Sequence, residues 1–332
     1  MKVAVAYEAG QPLVLEDLPV PDIGPRDVLV RISASGICHT DLHVIEGKSA
    51  LPLPIVPGHE ACGIVESAGV DVRRVKVGDR VLASVAPACG ACWWCVNGLS
   101  NHCELNPGVK AAQRFKLPTG QTAGAVCGCG TFAEAMVVDE ASLVPVRTDL
   151  ADTELALLGC GGVGQSVIAG ARIAGAAVII AIDPVRSRRD DAVRAGATHA
   201  VDPAAADPVE QVRELTGGRG ADYAFEVVGR PELMVAAYEM ARTAGTVTLV
   251  GMPGVTDTLT LPAIKAVFSG KRLAGASLGG AQILRDFPKF IALAETGQLD
   301  LTSMVSQQIT LDEVNKGIDL VNRAEGVRTV IV

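Results

Sequence analysis

The run Gly159-Cys160-Gly161-Gly162-Val163-Gly164 fits the pattern G-x-G-x-x-G and decides how the second half of the chain is interpreted. Residues 165–174 are helix-like, and the apolar run after them ends in Asp183. In this pattern the glycines let the backbone approach a pyrophosphate at a helix N-terminus, and the acid accepts hydrogen bonds from a ribose. The alternative is a glycine-rich loop with a solvated aspartate, which the context disfavours. We therefore predict a dinucleotide-binding fold, with cofactor contacts at Gly159, Gly161, Gly162, Val163, Gly164 and Asp183.

The acid at position 183 also bears on which dinucleotide is bound. A carboxylate repels a 2′-phosphate, so Asp183 favours NAD over NADP. Three arginines follow closely, at 186, 188 and 189, and they could accommodate such a phosphate. We predict NAD as the cofactor, with Arg188 among its contacts.

The two halves of the chain show different patterns. Its 332 residues exceed what one hydrophobic core usually spans, so two domains are expected. Residues 1–150 contain short β-like runs separated by Gly and Pro, which predicts a small, mostly β domain. From residue 152 strand-like runs alternate with helix-like stretches, which predicts a parallel sheet covered on both faces. The predicted fold class is α/β.

Four cysteines in the first half form a metal-ligand pattern. Cys89, Cys92, Cys95 and Cys103 are spaced so that one tight loop turns three thiolates toward a common centre and the fourth closes a tetrahedron. Four thiolates suit Zn²⁺ and leave no position open for substrate, so the predicted site is structural. A pair of disulfides is the alternative, but the other cysteines are scattered and no secretory pattern opens the sequence. We expect a zinc lobe at about 86–106.

A second group of metal-ligating residue types lies in the same half. Cys38 and His59 are sound zinc ligands, and Thr40, Asp41 and Glu60 stand close to them in the sequence. An isolated cysteine or histidine is more often a buried core residue. The density of the group favours a catalytic metal site, which keeps one coordination position free for a substrate oxygen.

Together these features resemble the zinc-dependent medium-chain alcohol dehydrogenases over nearly the whole chain. The resemblance rests on the four-cysteine lobe and on short segments at 36–41, 57–60, 77–81, 161–164 and 251–253. The segment 124–134 is similar to the class III-like branch of that family. The family implies a GroES-like, mostly β catalytic domain (1–150), a Rossmann domain with a doubly wound parallel sheet (151–280), and a C-terminal segment (281–332) that partly returns to the catalytic domain.

The resemblance implies a ligand set for a catalytic zinc. Cys38 and His59 would hold the ion, and Glu60 would be an outer or transient ligand. Asp41 would support the zinc-bound histidine. The zinc acts as a Lewis acid toward the alcohol, whose hydride passes to the nicotinamide of NAD.

The resemblance also implies a proton path and two further cofactor contacts. Thr40 would accept the alcohol proton, and His43 would pass it to solvent. His39 and Arg328 would lie near the pyrophosphate of NAD.

One departure from the family lies just before the glycine run. Family members carry a longer stretch here, with a Gly-Cys-Gly segment that supplies the third ligand of the catalytic zinc, then a helix and the first Rossmann strand. In this chain 143–158 leads directly into 159–164, so the two Gly-Cys-Gly segments are merged. We therefore expect Cys160 to lie by the pyrophosphate and the catalytic zinc to be the weaker one. The first strand of the Rossmann domain then has to come from 152–158, although the composition of this stretch suits a helix equally well.

Composition narrows the functional classes. A net charge of −8 argues against a nucleic-acid partner, and the uncharged stretch 155–171 is interrupted by glycines, so no membrane span is expected. We expect a cytoplasmic, NAD-dependent zinc alcohol dehydrogenase, a homodimer or homotetramer, acting on a small-molecule alcohol or aldehyde, whose activity the missing ligand would impair. The alternatives are a zinc-independent NAD(P)H reductase of the same superfamily and a non-catalytic zinc- and nucleotide-binding protein.

Overall fold

The computed structural model describes residues 1–49, 51–105, 112–160, 162–323 and 325–332, and for 157–160 the backbone alone. The chain divides into two compact units. Unit 1 comprises Met1–Gly162 and Ala281–Val332, and unit 2 comprises Val163–Gly280. The two ends of the sequence therefore fold together in unit 1.

Short strands dominate the first 150 residues, and helices become frequent after them. The strands are β1 Lys2–Val5, β2 Val14–Asp17, β3 Asp27–Gly36, β4 Ile55–Val56, β5 Glu60–Ala68, β6 Arg80–Ala83, β7 Ala112–Lys116, β8 Thr122–Ala125, β9 Ala135–Asp139, β10 Leu143–Pro145, β11 Ile180–Ile182, β12 His199–Val201, β13 Ala221–Glu226, β14 Ala241–Leu249, β15 Arg272–Gly275, β16 Val305–Ile309 and β17 Arg328–Ile331. The α-helices are α1 His39–Ile45, α2 Trp93–Val96, α3 Asp152–Cys160, α4 Val163–Ile173, α5 Arg186–Ala195, α6 Pro208–Leu215, α7 Pro231–Met240, α8 Ala263–Phe268, α9 Ile283–Glu295 and α10 Val314–Asn322. None of these helices is long and apolar enough to cross a membrane.

Unit 1 is built on a mixed sheet centred on β3. The strand order is β10-β6-β5-β3-β17-β16, and β9 also pairs with β3. Inward-facing apolar residues of these strands, such as Val28, Val30, Val65 and Met136, are almost completely buried in one cluster. The alternation of buried and more exposed positions along β3 explains why this run forms a strand with one face in the core.

Unit 2 alternates strands and helices, and all its strand pairs are parallel. Its strands form two separate sheets, β11-β12 and β13-β14-β15. The helices α4 to α8 lie between them in the sequence. The α/β class, with a GroES-like and a Rossmann-like part, is confirmed.

The opening strand predicted at 152–158 is wrong, because this stretch is the helix α3 of unit 1. Its first turn carries Asp152 and Glu154, which suit the positive end of a helix, and Glu154 Oε2 accepts a hydrogen bond from the N–H of Ala151 at 2.9 Å. Leu155 and Ala156 are fully buried. The stretch forms a helix and not a strand because it contains good helix formers and an acidic first turn, and because its apolar residues are buried.

Side chains of the β domain hold the start of α3 in place. The guanidinium of Arg80 donates to the Asp152 carboxylate (Nε–Oδ1 2.7 Å) and to the carbonyls of Thr148 and Leu150. The thiol of Cys62 donates to the Asp152 carbonyl at 3.1 Å, and burial raises its pKa, so it stays a neutral thiol. The helix is thus fastened to unit 1 by its first residue.

Candidate metal and cofactor sites

The cysteines at 89, 92, 95 and 103 converge around the short helix α2. Their sulfur atoms lie within 4.8 Å of one another, with Sγ–Sγ distances of 3.8 Å for Cys89–Cys95 and 3.9 Å for Cys92–Cys103. Sulfurs about 2.3 Å from a central zinc, at the corners of a tetrahedron, are about 3.8 Å apart. A disulfide would bring two of them to about 2.05 Å. The geometry fits a metal site and not the disulfide alternative.

Backbone amides favour metal binding by this cluster. The N–H groups of Ala91 and Cys92 donate to Cys89 Sγ at 3.4 and 3.3 Å. Hydrogen bonds from the amides of Glu104 and Cys95 lower the pKa of the Cys92 thiol to about 6, whereas burial raises the pKa of Cys95 to about 12. Because the thiolate is the metal-binding form, these amides predispose the site toward an ion.

The second cluster brings together Cys38, His59 and Glu60, whose ligand atoms lie within 4.8 Å of one another. Strand pairing explains the convergence. The last residue of β3, Gly36, pairs with Glu60, the first residue of β5, so the segments that follow β3 and precede β5 meet at one end of the sheet. A Cβ at Gly36 would lie 2.4 Å from Glu60 Oε2, so the glycine makes room for this carboxylate.

Asp41 organises the cluster from a fully buried position. Its Oδ2 accepts from the N–H of Cys38 at 3.0 Å, and its Oδ1 accepts from the N–H of Gly58 at 2.9 Å. Oδ1 also lies 2.9 Å from His59 Nδ1. With a proton on Nδ1, the lone pair of Nε2 is directed at the cluster, which is the arrangement of a metal-binding histidine.

Glu60 is fully buried beside Arg328. Its Oε1 lies 3.2 Å from Arg328 Nη2 and 3.8 Å from His59 Nε2, while Oε2 has no hydrogen-bond partner in the described part of the chain. Burial raises the pKa of Glu60 well above its usual range, and the charge of Arg328 opposes this rise. A buried oxygen without a partner is costly, and a cation beside it would satisfy it.

Cys38 has the electrostatics of a metal ligand. Burial raises the pKa of its thiol, but the hydrogen bond and charge of His59, helped by the charge of Arg328, lower it to about 6 overall. One sulfur, one imidazole nitrogen and a carboxylate oxygen are ligands that Zn²⁺ accepts. The residues present therefore fit a zinc ion.

The predicted proton-path residues lie on α1, which begins directly after Cys38. Thr40 Oγ1 is 3.6 Å from Cys38 Sγ. His43 is half-buried, and its ring is 5.7 Å from that of the exposed His39. Thr40 thus lies beside Cys38, and His43 lies on the same helix near the exposed His39.

The predicted cofactor residues are less well assembled. Gly159 belongs to the last turn of α3, Gly161 lies outside the described residues, Gly162 precedes α4, and Val163 and Gly164 begin α4. A helix, and not a strand, precedes the glycines. Asp183 follows β11, where its Oδ1 accepts from the N–H of Val185 at 2.7 Å and its Oδ2 lies 4.0 Å from Arg188 Nη1.

Arg328, predicted to contact the pyrophosphate, is buried and donates to the Ile37 carbonyl at 2.7 Å as well as to Glu60. Sequence reasoning missed this ion pair, since 268 residues separate the partners. It also missed Glu226, buried at the end of β13, whose Oε1 accepts from the N–H groups of Val228 and Gly229. The sequence signal for this residue was an acidic residue, Glu226, at the end of the strand β13. The side chain of Cys160, predicted to lie by the pyrophosphate, is outside the described part of the structure.

Comparison with known proteins covers nearly all of the chain. Residues 24–148 match the alcohol dehydrogenase GroES-like domain, and residues 162–296 match the zinc-binding dehydrogenase domain. The NDMA-dependent alcohol dehydrogenase of Amycolatopsis methanolica is 33% identical over 368 positions, covering 100% of this chain and 98% of the relative. The aligned length exceeds the 332 residues of this chain, so the relative carries residues with no counterpart here.

Solved structures give the same assignment. Benzyl alcohol dehydrogenase from Acinetobacter calcoaceticus superposes with a TM-score of 0.92 at 28% identity, covering 99% of this chain and 98% of the other. An alcohol dehydrogenase from Thermus sp. ATN1 superposes with a TM-score of 0.86 at 26% identity, covering 100% and 99%. The family predicted from the sequence is confirmed: this chain belongs to the zinc-dependent medium-chain alcohol dehydrogenase family.

Proposed function

We propose that this protein is a zinc-dependent alcohol dehydrogenase, which oxidises an alcohol to an aldehyde or ketone while NAD is reduced, or runs the reverse reaction. The observation that carries the proposal is the cluster of Cys38, His59 and Glu60, fixed by Asp41 and flanked by Thr40. A reductase that works without catalytic zinc has no use for a buried thiol of lowered pKa facing an oriented imidazole. The zinc-dependent alternative is therefore the better supported one.

Cys38 and His59 would hold the catalytic zinc, with Glu60 as an outer or transient ligand. When bound, the ion supplies Lewis acidity, which lowers the pKa of an alcohol hydroxyl. Asp41 keeps His59 in the metal-binding tautomer. Arg328 neutralises Glu60 and holds it at the edge of the cluster, so that one coordination position remains for the substrate oxygen.

The alcohol proton would leave along α1. Thr40 Oγ1, 3.6 Å from Cys38 Sγ, is placed to accept it and to donate its own hydroxyl proton onward. His43 is three residues further on the same helix, and residues at this spacing are neighbours on a helix surface. Half-buried His43 can then exchange the proton with solvent.

Cys160 belongs with this cluster in our proposal, as the third protein ligand that the family has. The expectation that it lies by the pyrophosphate depended on a strand at 152–158. Because α3 instead ends at Cys160 within unit 1, the chain delivers this residue to the unit that holds Cys38 and His59. Three protein ligands are the usual number for a catalytic zinc.

Further elements of the proposal are the structural zinc, the dinucleotide and the assembly. The zinc of the four-cysteine cluster would fix the lobe, and Asp183 would favour NAD over NADP.

The proposed assembly is a homodimer or homotetramer. Unit 2 exposes apolar side chains on and next to α8 and β15, and a subunit interface would cover this surface. These side chains are Ile264, Val267, Phe268 and Leu273.

Steady-state assays on a panel of primary and aromatic alcohols with NAD and added zinc test this function. Thr40→Val keeps the volume but removes the hydroxyl, and we expect kcat to fall by roughly 10²–10⁴-fold, the usual contribution of acid–base catalysis. Thr40→Ser keeps the hydroxyl and is the matched control, with most of the activity retained. Unchanged turnover in Thr40→Val, or turnover that chelation leaves intact, would contradict the proposal.

A further inference from the structure

We infer that unit 2 lacks the pyrophosphate-binding turn of a complete Rossmann fold and binds its dinucleotide weakly, through the adenosine end. The inference rests on the proposed function, since it concerns the same cofactor. In this inference Asp183 contacts the nucleotide, and the glycine run does not bind the phosphates.

The described residues of unit 2 lack a central strand. A Rossmann sheet has the order 3-2-1-4-5-6, so its first strand lies in the middle of the sheet. Within the described part of unit 2 the strands form β12-β11 on one side and β13-β14-β15 on the other. These are the flanking strands 3-2 and 4-5-6. The central strand would join β11 to β13, but the stretch predicted to form it, 152–158, is part of helix α3 of unit 1.

The exposure of apolar residues in the flanking strands supports a missing neighbour. A parallel strand inside such a sheet is covered on both faces, and the run Ala177-Val-Ile-Ile-Ala-Ile182 has the apolar composition of such a strand. Yet the three residues of β11 are only half-buried, and in β13 Tyr223 is 66% and Phe225 is 44% exposed. The sequence of these strands suits a more complete sheet than the one the chain forms.

Gly164 supplies an independent observation. In G-x-G-x-x-G the third glycine allows the helix to pack closely on the first strand. A Cβ at Gly164 would meet nothing closer than Val227 Cγ2, at 3.8 Å, which is ordinary contact. At Gly251, two residues after β14, a Cβ would instead lie 2.0 Å from the N atom of Gly229. The backbone is therefore closely packed around Gly251, after β14, but not around Gly164, at the start of α4.

The consequence for the ligand follows from these losses. A pyrophosphate is bound where a strand turns into a helix and presents backbone N–H groups. Here α3 ends at Cys160 and α4 begins at Val163, so in the described part of the chain no strand leads into α4. The carboxylate of Asp183 still stands at the end of β11, with Arg188 nearby, where an adenosine ribose is bound in this fold.

Calorimetric titration of the zinc-loaded protein with NAD, ADP-ribose and AMP tests the inference. We expect the three Kd values to agree within about threefold, and Gly164→Ala to leave the Kd of NAD unchanged within about twofold. Asp183→Ala should abolish binding of all three. If NAD binds more than about 100-fold tighter than AMP, if Gly164→Ala weakens NAD strongly, or if AMP does not bind, the inference is wrong.

A rescue variant separates this inference from the proposed function. A designed segment that can form a β-strand and ends in a Gly-x-Gly turn is inserted before Gly162. We expect the Kd of NAD to fall more than about tenfold while that of AMP stays constant. A folded insertion variant with unchanged NAD affinity overturns the inference. The proposed function fails separately, if Thr40→Val retains full turnover.

Discussion

The two units differ in how completely they bury their own apolar residues. In unit 1 the large side chains of Phe115, Phe132 and Met136 are at most 1% exposed, and the sheet around β3 is continuous. In unit 2 the buried clusters consist mostly of small residues, such as Ala192 and Ala224, and the sheet is in two pieces. Unit 1 therefore has one continuous sheet around a large buried core, and unit 2 has two short sheets with small cores.

The difference between the units lies in the sheet, since no strand among the described residues of unit 2 joins β11 to β13. The proposed metal ligands Cys38 and His59 and the four cysteines of the lobe all lie in unit 1 and converge through contacts inside it. Dinucleotide binding depends on a turn that begins at the central strand, and no local contact among the described residues replaces it. Zinc chemistry and cofactor binding should therefore respond separately to substitution.

The largest effect is expected in the four-cysteine lobe. Cys95→Ser removes one of four thiolates, so the lobe should lose its zinc and with it much of the about 10–16 kcal/mol that structural zinc supplies to folding. Zinc analysis and urea unfolding measure the two losses together. Cys127→Ser, half-buried and outside both clusters, is the control. A Cys95→Ser protein with full zinc content and unchanged unfolding would contradict the assignment.

The second zinc should be held more weakly than the first, because three protein ligands replace four thiolates. Extended dialysis against a chelator should leave about one zinc per chain. We expect Cys160→Ser to lower the affinity for the second zinc by more than about 100-fold. Loss of a residue that only hydrogen-bonds a metal ligand costs at most about 100-fold, and loss of a ligand itself should cost more. Cys62→Ser can keep its hydrogen bond to the Asp152 carbonyl and should bind zinc normally. Normal zinc affinity in Cys160→Ser would place this residue away from the metal.

A smaller effect is expected at Asp183. Its carboxylate at short range from a 2′-phosphate disfavours NADP by about 1–3 kcal/mol at an intermediate effective dielectric. Asp183→Ser should therefore narrow the preference for NAD or reverse it, helped by Arg188. Competition titrations of NAD against NADP measure the ratio of the Kd values. Equal affinity for both cofactors in the unaltered chain would show that the carboxylate does not face the ribose.

Several features of the molecule follow from the sequence alone because they depend on local spacing. The four-cysteine cluster and the neighbours Cys38, Thr40 and Asp41 are fixed by a few bonds of backbone, and their convergence is predictable from spacing. The strands at β3, β5, β11 and β13 follow from composition and turn signals. The α/β class and the family follow from these same segments.

Other features depend on contacts that sequence spacing does not contain. Residues 152–160 carry composition that suits either strand or helix, and buried contacts of Leu155 together with the Arg80–Asp152 ion pair decide for helix. The same holds for Arg328, whose charge meets Glu60 only because β17 pairs with β3. Contacts between distant residues determine both the helix at 152–160 and the Arg328–Glu60 ion pair, so the local sequence pattern could not predict them.

Hydrogen exchange followed by mass spectrometry tests the contrast between the units most directly. Amides in β3 and β5 should exchange only when unit 1 unfolds, whereas those in β11 and β13 should exchange through local opening, with protection at least about 100-fold lower. Saturation with NAD should raise protection in β11 but not in α4, because we infer that the phosphates of NAD do not contact the start of α4. Equal protection in β3 and β13, or strong protection of the α4 N-terminus by NAD, would contradict a complete unit 1 beside an incomplete unit 2.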